Sequence, residues 1–203
     1  MTSIRHNPEP EETSRDDGYL DAAREAILAV GWSRTTLTDI ARRAGVSRMT
    51  LYRRWPDTQT LLADLMTREW SAVVTAAAAA SADGTARERI TRGVVATVQG
   101  LRANDLVRRI VDVDPEVLLP YLLTRRGRSQ EHVADATAAL IAEGQRDGSV
   151  RTGDPETMAR ALVLAAHGFV LSAHTMVDAA TADPDLRPLD AELVHLVESY
   201  LLP

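Results

Sequence analysis

The chain has 203 residues, no cysteine, 45% apolar residues and a formal net charge of −6. The lack of cysteine excludes disulfides and thiolate metal sites, and the length and apolar content suit a folded chain that buries a substantial core. No apolar run reaches the ~18 to 20 residues of a membrane span; the richest, residues 161–171, contains His167 and Gly168.

The N-terminus carries no apolar leader core, so a cytoplasmic protein without membrane association is expected. Strand-type alternation is nearly absent, and long Ala, Leu, Arg and Glu stretches predict an all-α fold of about nine helices. Residues 1–17 hold five acids, two arginines and two prolines, a composition that predicts a disordered acidic tail. A first helix is expected from about Gly18 to Val30, with Leu20, Ala23, Ile27 and Val30 on one face and Gly31 closing it.

Residues 35–56 read as a helix-turn-helix. Leu37, Ile40, Ala41 and Ala44 fall on one face of a short helix. Thr36 can cap that helix, with Asp39 three residues on. Gly45 suits a sharp turn. A second short helix starts at about Ser47, with Leu51 and Trp55 inward and Arg48, Thr50, Tyr52 and Arg53 outward. Residues 33–55 contain six arginines and one acid, a local balance of +5 in a chain of −6. Basic charge concentrated on such a helix pair points to the major groove of DNA.

The pattern Ala22-Ala23, Gly31-Trp32, Thr35-Thr36, Asp39-Ile40-Ala41, Ala44-Gly45-Val46-Ser47, Thr50-Leu51-Tyr52, Trp55-Pro56 and Leu61-Leu62 resembles the DNA-binding head of the tetracycline-repressor-like (TetR/AcrR) regulators. The resemblance covers residues 18–62. It implies a head of three helices followed by a helical ligand-binding and dimerisation domain, here 63–203. It implies DNA contacts from Thr36, Ser47, Arg48, Met49, Thr50, Tyr52, Arg53 and Arg54. Two positions depart from the pattern: Met49 stands where Gly is usual, and Thr58 where Lys is usual. Arg53 and Arg54 are the candidates to supply the phosphate charge that Thr58 lacks.

Beyond the head, a longer fourth helix is expected from Pro56-Asp57 to about Ala80. A Gly84 linker leads to a fifth helix with Ile90, Val94, Val98 and Leu101, and a short sixth with Leu106, Val107, Ile110 and Val111. Pro120 should kink or interrupt the next segment. Residues 125–128, Arg-Arg-Gly-Arg, read as a solvated bend. The seventh helix runs to about Asp147, the eighth from about Pro155 to Val177, and the ninth from about Leu189 to Leu202.

The eighth helix is apolar nearly all round, so it should be buried on more than one side. The resemblance implies a four-helix dimer from the last two helices of each chain, with Met158, Leu162, Ala165, Gly168, Leu193, Leu196, Val197 and Tyr200 as interface candidates. His167 and His174 lie seven apart on one expected helix, about 10 Å between Cα atoms, so shared ligation of a metal is not expected. No catalytic motif is present, and neither an enzyme nor a cofactor is expected. Candidate pocket residues are Trp70, Leu101, Val107, Ile110, Val111, Leu118, Tyr121, Leu140, His167 and Phe169. Their mostly aliphatic character suits an aliphatic or small amphipathic effector. The expected function is a homodimeric transcriptional regulator on a palindromic DNA operator, acting as a repressor released by a small-molecule effector. The alternative is a helical dimer that acts through a protein partner without DNA.

Overall fold

The structure is a computed structural model that describes residues 10–177 and 185–203. Among these residues ten α-helices occur and no strand. They are α1 (Pro10–Val30), α2 (Leu37–Arg43), α3 (Arg48–Arg54), α4 (Thr58–Ala80), α5 (Ala86–Ala103), α6 (Asp105–Val113), α7 (Leu119–Leu123), α8 (Arg128–Asp147), α9 (Pro155–Leu171) and α10 (Arg187–Leu201). Short 3-10 turns at Pro115–Val117 and Ala173–Met176 complete the chain. The all-α expectation holds, with one helix more than the nine anticipated. The addition is α7: Pro120 sits in its first turn, where a missing N–H costs nothing, so the ring opens a helix there instead of interrupting one.

Two helix boundaries and the facing of one residue also differ from expectation. Residues 1–9 of the expected tail lie outside the described residues, but residues 10–17 are helical and α1 begins at Pro10, not Gly18. Three of its acids, Asp16, Asp17 and Asp21, meet arginines of other helices. Asp16 accepts from Arg54 Nε at 2.7 Å, and Arg68 reaches both the Asp17 carbonyl (3.0 Å) and the Asp21 carboxylate (2.8 Å). Val30, expected inward, is 37% exposed at the end of α1. The helix expected to run to Val177 stops at Leu171, where the Ser172 N–H closes on Gly168 O at 2.8 Å.

Most helix starts carry the cap their sequence offers. Thr36, Ser47, Asp57, Thr85 and Asp154 each accept a backbone N–H three residues on. The apolar faces then assemble two clusters. One joins α1–α4 through Ile27, Ile40, Leu51, Trp55, Leu61 and Leu65, and it continues into the body through Leu106, Ile110 and Leu118. The other joins α5, α8, α9 and α10 through Val98, Ile141, Leu162, Leu193 and Val197. Buried Asp190 of α10 ties that end together, accepting from Gln99 at 2.9 Å and from Arg102 of α5.

The head is therefore not an appended module. Asp114, at the end of α6, is buried and accepts the amide N–H of Trp32 (2.8 Å) and of Ser33 (3.2 Å). Gly31 has φ 93°, and a Cβ there would sit 2.8 Å from Asp114 Oδ2, so only glycine permits this approach. Arg128 of α8 adds a second tie, an ion pair to Asp64 of α4. Residues 125–128 are thus not wholly a solvated bend.

Burial alone would raise the Asp114 carboxyl. The Ser33 hydroxyl, the Trp32 and Ser33 amides and the Arg34 charge outweigh it and hold the group below the ordinary carboxylate value. Its contribution to stability is then present above the ordinary value and fades as pH falls through the lowered one. Replacing Asp114 by Ala should cost about 1–3 kcal/mol at neutral pH, because two amides lose their acceptor. Denaturant midpoints of wild type and variant should converge as the solution is acidified through the carboxylate range. Equal midpoints at pH 7 would show that the clamp is not stabilising.

Candidate nucleic-acid interface

The head presents its chemistry through how α3 is fixed. Ile40 and Leu51 are fully buried, and Gly45, at φ 67°, makes the turn between α2 and α3. Trp55 is 1% exposed, meets Tyr19 edge-on at 6.1 Å, and donates its indole N–H to Asp64 at 2.8 Å. The inner face of α3 is thereby locked onto α1 and α4.

The outer face carries the expected residues. Ser47, Arg48, Met49, Arg53 and Arg54 are exposed, and Thr50 and Tyr52 are half-buried. Arg34, Arg42 and Arg43 are exposed as well, so all six arginines of residues 33–55 reach solvent. Arg48 Nη2 donates to the Tyr52 hydroxyl at 2.6 Å, with the guanidinium 4.9 Å from that ring centroid. Base reading requires Arg48 to exchange this contact for a base edge. Met49, 69% exposed, offers an apolar tip to a thymine methyl. Thr36 spends its hydroxyl on Asp39 at 2.5 Å, and Arg54 is held by Asp16, an ion pair with which a DNA phosphate must compete.

Below the head, α4–α9 enclose an apolar cavity of about 90 Å³. Six of the ten expected pocket residues line it: Trp70, Leu101, Val107, Leu118, Tyr121 and His167. Ile110 instead lines a cleft of about 480 Å³ between head and body, with Trp32 and Trp70. Leu140 lines a neighbouring pocket of about 210 Å³. Val111 and Phe169 line none of these, because they pack into the two clusters. Sequence reasoning missed Gln130, which is buried and sits beside His167. The Gln130 side-chain carbonyl accepts the Gly127 N–H at 2.7 Å. Its amide nitrogen therefore donates to His167 Nε2 at 3.1 Å. The ring proton is then on Nδ1, and burial pushes the His167 pKa below its ordinary value. A histidine in an apolar helix signals that a partner exists, but not which one. His174 lies exposed on the 3-10 turn, away from this pair. Among the described residues no three His, Asp or Glu side chains form a metal set.

Half of the expected dimer residues belong elsewhere. Met158, Leu162, Leu193 and Val197 are 0–4% exposed inside the protomer's own second cluster. Their spacing of four along α9 and α10 puts each pair on the inner face. Tyr200 packs against Arg151, 4.6 Å from its guanidinium. Ala165, Gly168 and Leu196 are exposed, joined by Leu164 at 69% and Leu202 at 56%. The eighth expected helix is thus covered on one side only.

Comparison with known proteins decides what this architecture is. The profile of bacterial regulatory proteins of the tetR family matches residues 20–65. An HTH-type transcriptional regulator of Mycobacterium bovis is 37% identical over 90% of this chain and 92% of its own length. The chain belongs to the tetR family. It is a DNA-binding transcriptional regulator, and the helix pair α2–α3 is its helix-turn-helix. Solved tetR-family structures share the fold. A regulator from Pectobacterium atrosepticum superposes with a TM-score of 0.71 at 20% identity, covering 97% of this chain and 98% of its own. The tetR-family repressor AlkX from Dietzia gives 0.63 at 19%, covering 91% and 94%.

The two classes of arginine on the tetR head should separate in binding assays. Arg48→Ala should cost ~1–3 kcal/mol on the preferred site and relax selection at one base pair per half-site. Arg53→Ala should weaken every sequence alike and reduce the salt slope by about one. Anisotropy titrations over a salt series measure both; wild-type affinity and slope in both variants would reject this surface as the interface.

Proposed function

We propose that this regulator is a homodimeric repressor that occupies a palindromic operator and leaves it when a small molecule fills the body. The observation that carries the reading is the joint placement of three surfaces on one rigid frame. These are the arginine-rich face of α3, the cavity at Trp70, and the bare apolar stripe of α9 and α10. The head is short, and a single recognition helix gives limited affinity, so two copies are needed. Leu164, Ala165, Gly168, Leu196 and Leu202 supply a surface for the second copy. The dimer should bury on the order of 2,000 Å² in total and set the two α3 helices ~34–36 Å apart, one turn of DNA.

In this reading Arg48, Met49 and Thr50 touch base edges, while Thr36, Ser47, Tyr52, Arg53 and Arg54 address the backbone. The lever is α4, which begins beside the recognition helix and carries Trp70 into the cavity wall. An effector that prefers the non-binding head geometry shifts operator affinity by the same preference, typically ~1–3 kcal/mol. The name of the Dietzia neighbour, a repressor, supports repression as the output. Action on the chromosome places the protein in the cytoplasm, and no catalytic step belongs to this reading. No helix among the described residues is long and apolar enough to cross a membrane.

Gly168 offers a clean test of assembly. A Cβ there meets nothing within 4 Å in the protomer, so Gly168→Leu should leave the fold intact and disturb only a partner. Sedimentation at micromolar concentration should show a dimer for wild type and dissociation for both Gly168→Leu and Leu196→Asp. A monomeric wild type, or variants that remain dimers, would reject this surface as the dimer interface.

A further inference from the structure

The cavity at Trp70 does not stand alone. It shares Val74, Thr97, Val133, Val163 and Ala166 with the 210 Å³ pocket between α4, α5, α8 and α9. It shares Tyr121, Leu122, Gln130, Val163 and His167 with an outer mouth of about 500 Å³. The cavity is thus the middle of three adjoining spaces along α8 and α9, and the chemistry changes along this slot. The 90 Å³ cavity is walled mainly by apolar side chains, with Trp70 at the head side, and the one arginine that lines the pocket beyond it, Arg89, is paired with Glu143 at 2.7 Å. At about 90 Å³ the middle section is smaller than the ~150 Å³ cavity that accepts a benzene ring, so this passage suits a flexible chain and not a ring. The Gln130–His167 pair stands where the inner part meets the mouth.

The mouth is cationic. Arg125, Arg126 and Arg160 line it together with Leu122, Leu123 and Leu164, and no Asp or Glu lines it. Arg125 lies over the Tyr121 ring at 5.0 Å. Arg160 is engaged by Glu156 of its own helix at 2.7 Å. Arg126 makes no ion pair or hydrogen bond among the described residues and is exposed. A narrow apolar slot that opens onto an unpaired arginine is complementary to one kind of molecule.

We infer that the ligand of this site is a linear aliphatic monocarboxylate. Its chain lies past Gln130 and His167 in the slot, and its carboxylate lies in the mouth against Arg126. This rests on the effector pocket proposed above and names its ligand class. The geometry favours a carboxylate over an alcohol because a guanidinium pair adds a charge-assisted bond. It disfavours an alkylammonium, which would meet like charge.

The test uses the full-length protein and three probes of equal chain length: decanoate, decanol and decyltrimethylammonium. Calorimetric titration should give decanoate about tenfold or more tighter binding than either other probe, the size of one charge-assisted pair. Arg126→Gln, an exposed change, should bring decanoate to within about threefold of decanol without altering decanol binding, since only the charge-assisted pair is lost. Decanol binding as tightly as decanoate, the ammonium binding best, or no probe binding would overturn the inference. Operator affinity is read in parallel. Decanoate that binds and leaves operator affinity unchanged contradicts the effector reading but upholds the ligand class. Release of operator by another molecule, with decanoate unbound, overturns the ligand class and upholds the effector reading.

Discussion

The carboxylate of Asp114 holds the two functional halves of this molecule in register. The Asp114 backbone N–H closes the end of α6 on Ile110 O at 2.9 Å, while the carboxylate takes the amides of Trp32 and Ser33, in the loop that leads from α1 into the helix-turn-helix. Without an acceptor there, two amides would be orphaned. The glycine that precedes them, Gly31, exists in a conformation and at a distance that no other residue tolerates. The proposed communication between cavity and head runs through this join. Leu118 lines the cavity and, with Ile110, packs into the head core, so in the proposed mechanism a displacement of the cavity wall would move the floor under α2 and α3.

The electrostatics show a similar division. Acidic charge dominates the chain, yet the face of α3 is basic, and all of that charge is arginine. Such asymmetry orients the protein on a polyanion: the body is repelled while the head is drawn in. The acids of α1 temper this attraction locally, since Asp16 occupies Arg54 in the free protein. Arg48 is similarly occupied by Tyr52. The free head thus keeps two of its cations in internal contacts, which DNA would have to replace at the proposed interface, leaving more of the discrimination to base contacts.

The head is the most legible part of the sequence because its signals are local. The period of Leu37, Ile40 and Ala41, the Thr36 and Ser47 caps, the Gly45 turn and the arginine cluster all fall within a short stretch, and each has one structural meaning. The body is less legible because its helices are apolar on more than one face. On α9 nothing in the sequence alone distinguishes Met158 and Leu162, which face inward, from Leu164 and Ala165, which face out. That choice is made by α8 and α5, on which α9 packs, and α5 lies far along the chain. The same holds for residues 10–17. Asp16 and Asp17 read as part of a solvated tail until Arg54 and Arg68 are brought beside them. Gln130 is invisible in the sequence for a related reason: its role is set by His167, on another helix. Pro120 misleads in the other direction, since its position within a helix, not its presence, decides whether it breaks one.

The central claim is that a fixed, arginine-rich helix reads DNA from a frame shared with an effector cavity. The most direct measurement is the equilibrium affinity of the intact protein for a duplex recovered from its own genome, compared with a scrambled duplex, over a range of salt. The account predicts preference for the recovered duplex of about a thousandfold or more. It also predicts a log–log salt dependence with a slope near −0.9 for each phosphate neutralised. Equal binding to both duplexes, or binding indifferent to salt, would contradict it.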